Sequence, residues 1–125
     1  MQQLIAIGAG GALGAILRYG IAITTQAYLP LSNGFPLGTF IANMLGAFMM
    51  GFLYQTFLQT SVQNDLIRLF LTTGFLGALT TFSTFALEGI NLYRSGNGQI
   101  ALFYILISNV CGLLILWGGI RLAST

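Results

Sequence analysis

Thr72-Thr73-Gly74-Phe75-Leu76-Gly77-Ala78-Leu79-Thr80-Thr81-Phe82-Ser83-Thr84-Phe85, residues 72–85, combines helix-weakening glycines with a run of hydroxyl and aromatic side chains. It lies inside a charge-free segment, residues 69–87. Two glycines three apart weaken a helix, and Thr80-Thr81 follows them. Thr and Ser cap helices by accepting a bond from a free backbone N–H. One reading is a helix that unwinds around 77–81 and restarts near 82–84. The other is an unbroken helix whose hydroxyls bond back to the preceding turn. The difference matters, because irregular backbone at membrane depth is tolerated only where it is buried or lines a cavity. A break exposes carbonyls, which suit cations. A restarting helix offers N–H groups and a positive dipole end, which suit anions.

The surroundings of this run place it in a membrane. The chain has 125 residues, of which 56% are apolar and 5% charged. Its mean hydropathy is +0.88. Its charges are Arg18, Asp65, Arg68, Glu88, Arg94 and Arg121. A soluble domain carries roughly a quarter charged residues. A water-soluble enzyme is therefore excluded, and without a basic stripe so is a nucleic-acid partner. There is no His, so imidazole acid/base chemistry and His-ligated metals are excluded too. The single Cys111 permits no internal disulfide.

Charge-free stretches cover residues 1–17, 19–64, 69–87 and 95–120. A spanning helix needs roughly 20 mostly apolar residues. Pro30, Asn33-Gly34 and Pro36 mark a turn. The polar run from Gln59 to Asp65 and the run Arg94-Ser95-Gly96-Asn97-Gly98 mark two more. Four spans follow, at about 3–28, 37–58, 66–93 and 99–121, in one domain covering 1–125. An even number of spans puts both termini and the 59–65 loop on one side. Arg68 and Arg121 then lie near one face, and Arg94 and Arg18 nearer the other. Two against two fixes no orientation, which predicts insertion both ways; the alternative is one topology winning narrowly. Two opposed copies would supply the inverted repeat that many transporters carry within one chain.

Seventeen glycines suggest close helix contacts. Gly10 and Gly14, then Gly38, Ala42 and Gly46, then Ser108 and Gly112, recur at four-residue spacing. Ordinary bundle packing accounts for most of them. Polar groups within the spans are few. Thr39 and Asn43 share a helix face, as do Tyr104 and Ser108, Thr84 and Glu88, and Phe82 and Phe85. Arg18 and Glu88 are ionisable, which marks a functional site by default; the alternative is snorkelling to the interface.

Three motifs are specific together: Gly-Gly-Ala-Leu-Gly-Ala-Ile-Leu-Arg-Tyr at 10–19, Gly-Thr-Phe-Ile-Ala-Asn-Met-Leu-Gly at 38–46, and Gly-Phe-Leu-Gly-Ala-Leu-Thr-Thr-Phe-Ser-Thr-Phe at 74–85, with Glu88 following. Along its whole length the chain closely resembles the Fluc (CrcB) family of fluoride channels. The resemblance implies an all-α membrane protein of four transmembrane helices with a broken third helix, assembled as an antiparallel dual-topology homodimer. It implies a structural Na⁺ at the dimer centre, held by the backbone carbonyls of Gly77 and Thr80. Two pores are implied, with Phe82 and Phe85 turning positive ring edges inward and Asn43 donating its amide N–H to fluoride. Ser108, Ser83 and Thr84 would form a polar track, joined by Tyr104 and Glu88. Arg18 would sit in a vestibule and raise local anion concentration. Ala78 stands where many members have Gly.

The implied activity is passive export of F⁻ across the inner (cytoplasmic) membrane by a multi-pass protein that is not an enzyme. Its partners are fluoride, the lipid bilayer and a second copy of itself. Two rivals are weighed. A proton-coupled exporter of drug cations wants a central membrane carboxylate, but spans 1, 2 and 4 contain none and Glu88 lies toward an end of span 3. A non-transporting subunit explains the glycines but not the Thr-Thr-Phe-Ser-Thr-Phe run.

Overall fold

The computed structural model describes residues 1–60 and 64–125. The middle of the polar connection read between Gln59 and Asp65, residues 61–63, lies outside the described residues. Helix α1 runs Gln2–Tyr28 and α2 Leu37–Gln59. A third helical stretch follows in pieces: α3, Asp65–Arg68; a π-helical segment, Leu69–Leu76; α4, Gly77–Leu79; and α5, Phe82–Arg94. Helix α6, Gly98–Ala123, closes the chain. Four stretches, Gln2–Tyr28, Leu37–Gln59, Asp65–Arg94 and Gly98–Ala123, are long and apolar enough to cross a membrane. At 1.5 Å per residue, α1 alone extends about 40 Å, more than the roughly 30 Å hydrocarbon core. The protein is an all-helical, multi-pass membrane protein.

Local chemistry explains where the helices stop. After Pro30 the chain turns at Gly34, whose φ of 76° favours glycine. The Asn33 side chain accepts from the Phe35 N–H at 3.0 Å and holds that turn. Asn64 caps α3 by accepting from Leu66 N–H at 3.2 Å. Helix α5 ends in a left-handed Gly96, φ 86°. There Gly96 N–H donates to the Tyr93 carbonyl and Asn97 N–H to the Leu92 carbonyl, the paired bonds of a Schellman motif.

The helices pair in parallel. Helix α1 lies along the π-helical segment and α4, while α2 lies along α6. The glycines set how close they come. A Cβ on Gly10 would strike the Phe70 carbonyl, and one on Gly14 the Phe75 carbonyl. Gly74 answers from the other side, its would-be Cβ 3.1 Å from Gly10 Cα. Gly51 abuts the Leu116 carbonyl and Gly119 the Phe48 carbonyl in the second pair. These are backbone-to-backbone contacts, the packing that small residues permit where no hydrophobic force drives helices together. Gly112 differs, meeting only the Met44 methyl at an ordinary 3.6 Å.

Two small cores result. Ala42, Leu76 and Leu79 are fully buried at the meeting of α2 with the third stretch. Leu92, Ala101 and Tyr104 form the other, packed by Phe35, Phe40 and Phe85. Most remaining large apolar side chains point outward, which is stable only against lipid or another apolar surface.

Candidate functional site

Helix α4 ends at Leu79, the Thr80 N–H still donating to the Leu76 carbonyl, and both Thr80 (ψ 150°) and Thr81 (φ −147°, ψ 121°) are extended before α5 begins. The cause is a change of partner. In a continuous helix the Thr81 N–H would donate to the Gly77 carbonyl. Here it donates to Asn43 Oδ1 at 2.8 Å. Asn43 Nδ2 returns a bond to the Thr81 carbonyl at 3.3 Å. The Thr81 hydroxyl then caps α5, accepting from Thr84 N–H at 3.1 Å. Thr80 instead bonds back to the Leu76 carbonyl at 2.9 Å, so the two adjacent threonines take opposite roles. Gly46 makes room in α2, since a Cβ there would strike Thr80 Cγ2.

Arg18 reaches this point from α1. Its Nε donates to the Ala78 carbonyl at 3.1 Å, and its Nη1 lies 3.5 Å from Thr84 Oγ1. Ser83 Oγ is 3.5 Å from the Thr81 hydroxyl. Asn43, Arg18, Thr81, Ser83 and Thr84 thus form one polar cluster around the extended pair. Among the described residues, no hydrogen bond reaches the Gly77 or Thr80 carbonyl.

A second polar cluster lies two turns along α5. Glu88 accepts from the Thr39 hydroxyl at 2.7 Å through Oε1 and from the Tyr104 hydroxyl at 2.8 Å through Oε2. Two donors, one per oxygen, are what a carboxylate needs away from bulk water. A cavity of about 460 Å³ lies over Thr39 and Glu88, walled by Gln26, Pro30 and Phe35. Aromatic rings join the clusters. Phe85 packs on Tyr104 with centroids 5.1 Å apart and on Phe82 at 5.8 Å. Phe82 itself is 79% exposed and turns away from its own chain.

Ser108, one turn beyond Tyr104 on α6, has a buried hydroxyl without a hydrogen-bond partner among the described residues. A buried, unpaired hydroxyl costs roughly 1–3 kcal/mol.

Asn43, Ser83, Thr84 and Arg18 therefore gather around Thr81, and Glu88 joins Tyr104. Phe85 packs between Phe82 and Tyr104, and Ser108 makes no bond to either cluster. Three residues not assigned to the ion path take part in these contacts. Thr39 holds Glu88, Ala78 offers the carbonyl that Arg18 takes, and Thr81 is the hub. A signal for Thr39 was present: it shares a face with Asn43, and an intramembrane carboxylate requires nearby donors.

A family model described as CrcB-like protein, camphor resistance (CrcB), matches residues 5–120. A protein of Dehalococcoides mccartyi named fluoride-specific ion channel FluC is 41% identical over 124 residues, covering 99% of this chain and 94% of its own. One of the same name from a Hydrogenobaculum species is 46% identical over 115 residues, 90% of each chain. Fluoride-specific ion channel FluC 1 of Staphylococcus aureus is 44% identical over 123 residues, 98% of each. Matched over residues 5–120 by the family model, and nearly throughout by relatives of about its own length, the chain belongs to the CrcB-like protein family.

Proposed function

We propose that this protein is a fluoride-specific ion channel that lets F⁻ leave the cell passively across the cytoplasmic membrane, relieving fluoride toxicity. It is a channel, not an enzyme. The observation that carries the reading is the Ser108 hydroxyl, buried with no acceptor among the described residues, one turn from the Phe85–Tyr104 ring pair. Fluoride is small and strongly hydrated, and a path for it must replace water with donors. A free hydroxyl is such a donor. Asn43 offers another, since among the described residues its amide nitrogen makes one bond, to the Thr81 carbonyl. Ring edges at Phe82 and Phe85 face an anion without a cationic side chain, so it is not trapped in a deep well. Ser83 and Thr84 continue the polar track toward Asn43, and Tyr104 and Glu88 toward the other end. Arg18 raises anion concentration at the vestibule.

The working unit in this reading is an antiparallel dual-topology homodimer with the third helix broken at its centre. The even split of four arginines supports insertion both ways. The outward-facing Phe82 supports a pore completed by a second copy. A structural Na⁺ fits the residues present. Among the described residues no group of His, Cys, Asp or Glu is arranged to hold a metal, whereas the Gly77 and Thr80 carbonyls lack backbone partners. Hard cations take oxygen ligands of this kind. When bound, the ion would supply positive charge that ties the two subunits together.

The test is fluoride efflux from liposomes carrying only the purified protein, read with a fluoride electrode, with chloride-loaded liposomes alongside. Fast fluoride release with little chloride release is expected, and replacing Na⁺ by a large organic cation should slow it. No fluoride release from inserted, dimeric protein in Na⁺ would refute the channel.

A further inference from the structure

Arg18 does more at the extended pair than carry a charge. Its guanidinium bonds two groups on opposite sides of the pair: the Ala78 carbonyl at 3.1 Å, on the last turn before it, and Thr84 Oγ1 at 3.5 Å, on the first turn after it. Thr84 Oγ1 also accepts from the Thr81 hydroxyl at 3.0 Å. The Thr81 oxygen meanwhile accepts from the Thr84 N–H. A guanidinium only donates. The Thr84 oxygen is thus filled by two donors, Thr81 and Arg18, and neither can accept the Thr84 proton while so arranged. Among the described residues that proton has no acceptor.

We infer that Arg18 is a positioning residue. It ties α4 to α5 across the extended pair and turns the Thr84 O–H outward as a donor for a small, strongly hydrated anion. The inference rests on the channel reading for its anion, and on the hydrogen bonds alone for the tie. The role differs from attraction by field. A field needs only a positive charge near the mouth and weakens with salt. The tie needs a planar donor with two arms, which a lysine ammonium does not reproduce at a two-point site.

The experiment compares Arg18→Lys, Arg18→Gln, Thr84→Val and Arg18→Gln/Thr84→Val with wild type, in liposomes at low and high ionic strength. Fluoride efflux is one readout. The other is amide hydrogen exchange over residues 77–84, which needs no transport. Lys and Gln at position 18 are both expected to lower fluoride efflux by about tenfold or more, the cost of a charge-assisted bond, and the loss should persist at high salt. Exchange over 77–84 should quicken by a similar factor in both. The double variant should conduct no worse than Arg18→Gln, because both changes remove one donor. Efflux within twofold of wild type for Arg18→Lys would overturn the inference, as would unchanged exchange in Arg18→Gln or losses that multiply in the double variant. A wild type that releases no fluoride would refute the channel instead, and the exchange data would still decide the tie.

Discussion

Replacing Asn43 by leucine tests the centre of the site. The two side chains branch at the same carbon, so the substitution keeps shape while deleting the bond from Thr81 N–H, 2.8 Å, and the bond to the Thr81 carbonyl, 3.3 Å. An orphaned buried N–H costs about 1–3 kcal/mol, and the second bond contributes about 0.5–1.5 kcal/mol. The full loss is therefore about 1.5–4.5 kcal/mol if the backbone stays as it is. The Thr81 N–H has one escape, which is to swing back to the Gly77 carbonyl that a continuous helix would use. That would recover part of the energy and straighten the third stretch. Either way the Asn43 amide donor is gone, and losing one hydrogen bond to an anion, about 1.5–3 kcal/mol, lowers flux by about 10–100-fold. The assay pairs fluoride efflux with thermal unfolding and size-exclusion elution of the same preparation. Wild-type flux from a variant that elutes and melts normally would refute the role given to Asn43 both in the backbone and in the ion path.

Ser108→Ala should leave the melting temperature unchanged or slightly higher, since it removes a buried hydroxyl with no partner, while fluoride efflux falls; a clear drop in melting temperature would mean that the hydroxyl bonds within the protein. Phe82→Ile should cut fluoride flux with little effect on the fold of the single chain, because the ring is 79% exposed; near-wild-type flux in normally eluting dimer would remove Phe82 from the pathway. Gly14→Ala should destabilise strongly, by about 2 kcal/mol or more, because its methyl group meets the Phe75 backbone rather than a flexible side chain. Thermal unfolding checks this, and Gly8→Ala, at a helical position with open space around it, is the control expected to melt at or slightly above wild type.

The pattern of glycines illustrates what a sequence conveys and what it leaves open. Gly10, Gly14 and Gly46 stand at small-residue spacing and do meet a neighbouring helix closely, the first two against backbone. Gly112 stands at the same spacing and meets a flexible methyl group instead. Spacing locates a face but not what faces it. Likewise Thr39 and Asn43 share a face of α2, yet Thr39 serves Glu88 and Asn43 serves Thr81.

By itself the sequence determined that this is a membrane protein of four apolar helices, because the cost of placing charge and unpaired backbone in hydrocarbon is local and sums along the chain. Six charges and a few turn residues suffice to read it. Only the tertiary structure decided which donor meets which acceptor. The partners of Thr81, Glu88 and Arg18 lie 38, 49 and 66 residues away in sequence. Residues 72–85 were equally consistent with a straight or an interrupted helix, because the partner of the Thr81 N–H, Asn43, lies on another helix. Hydrogen bonds are short-ranged, so packing has to bring such groups within 3 Å before either one affects the other's backbone.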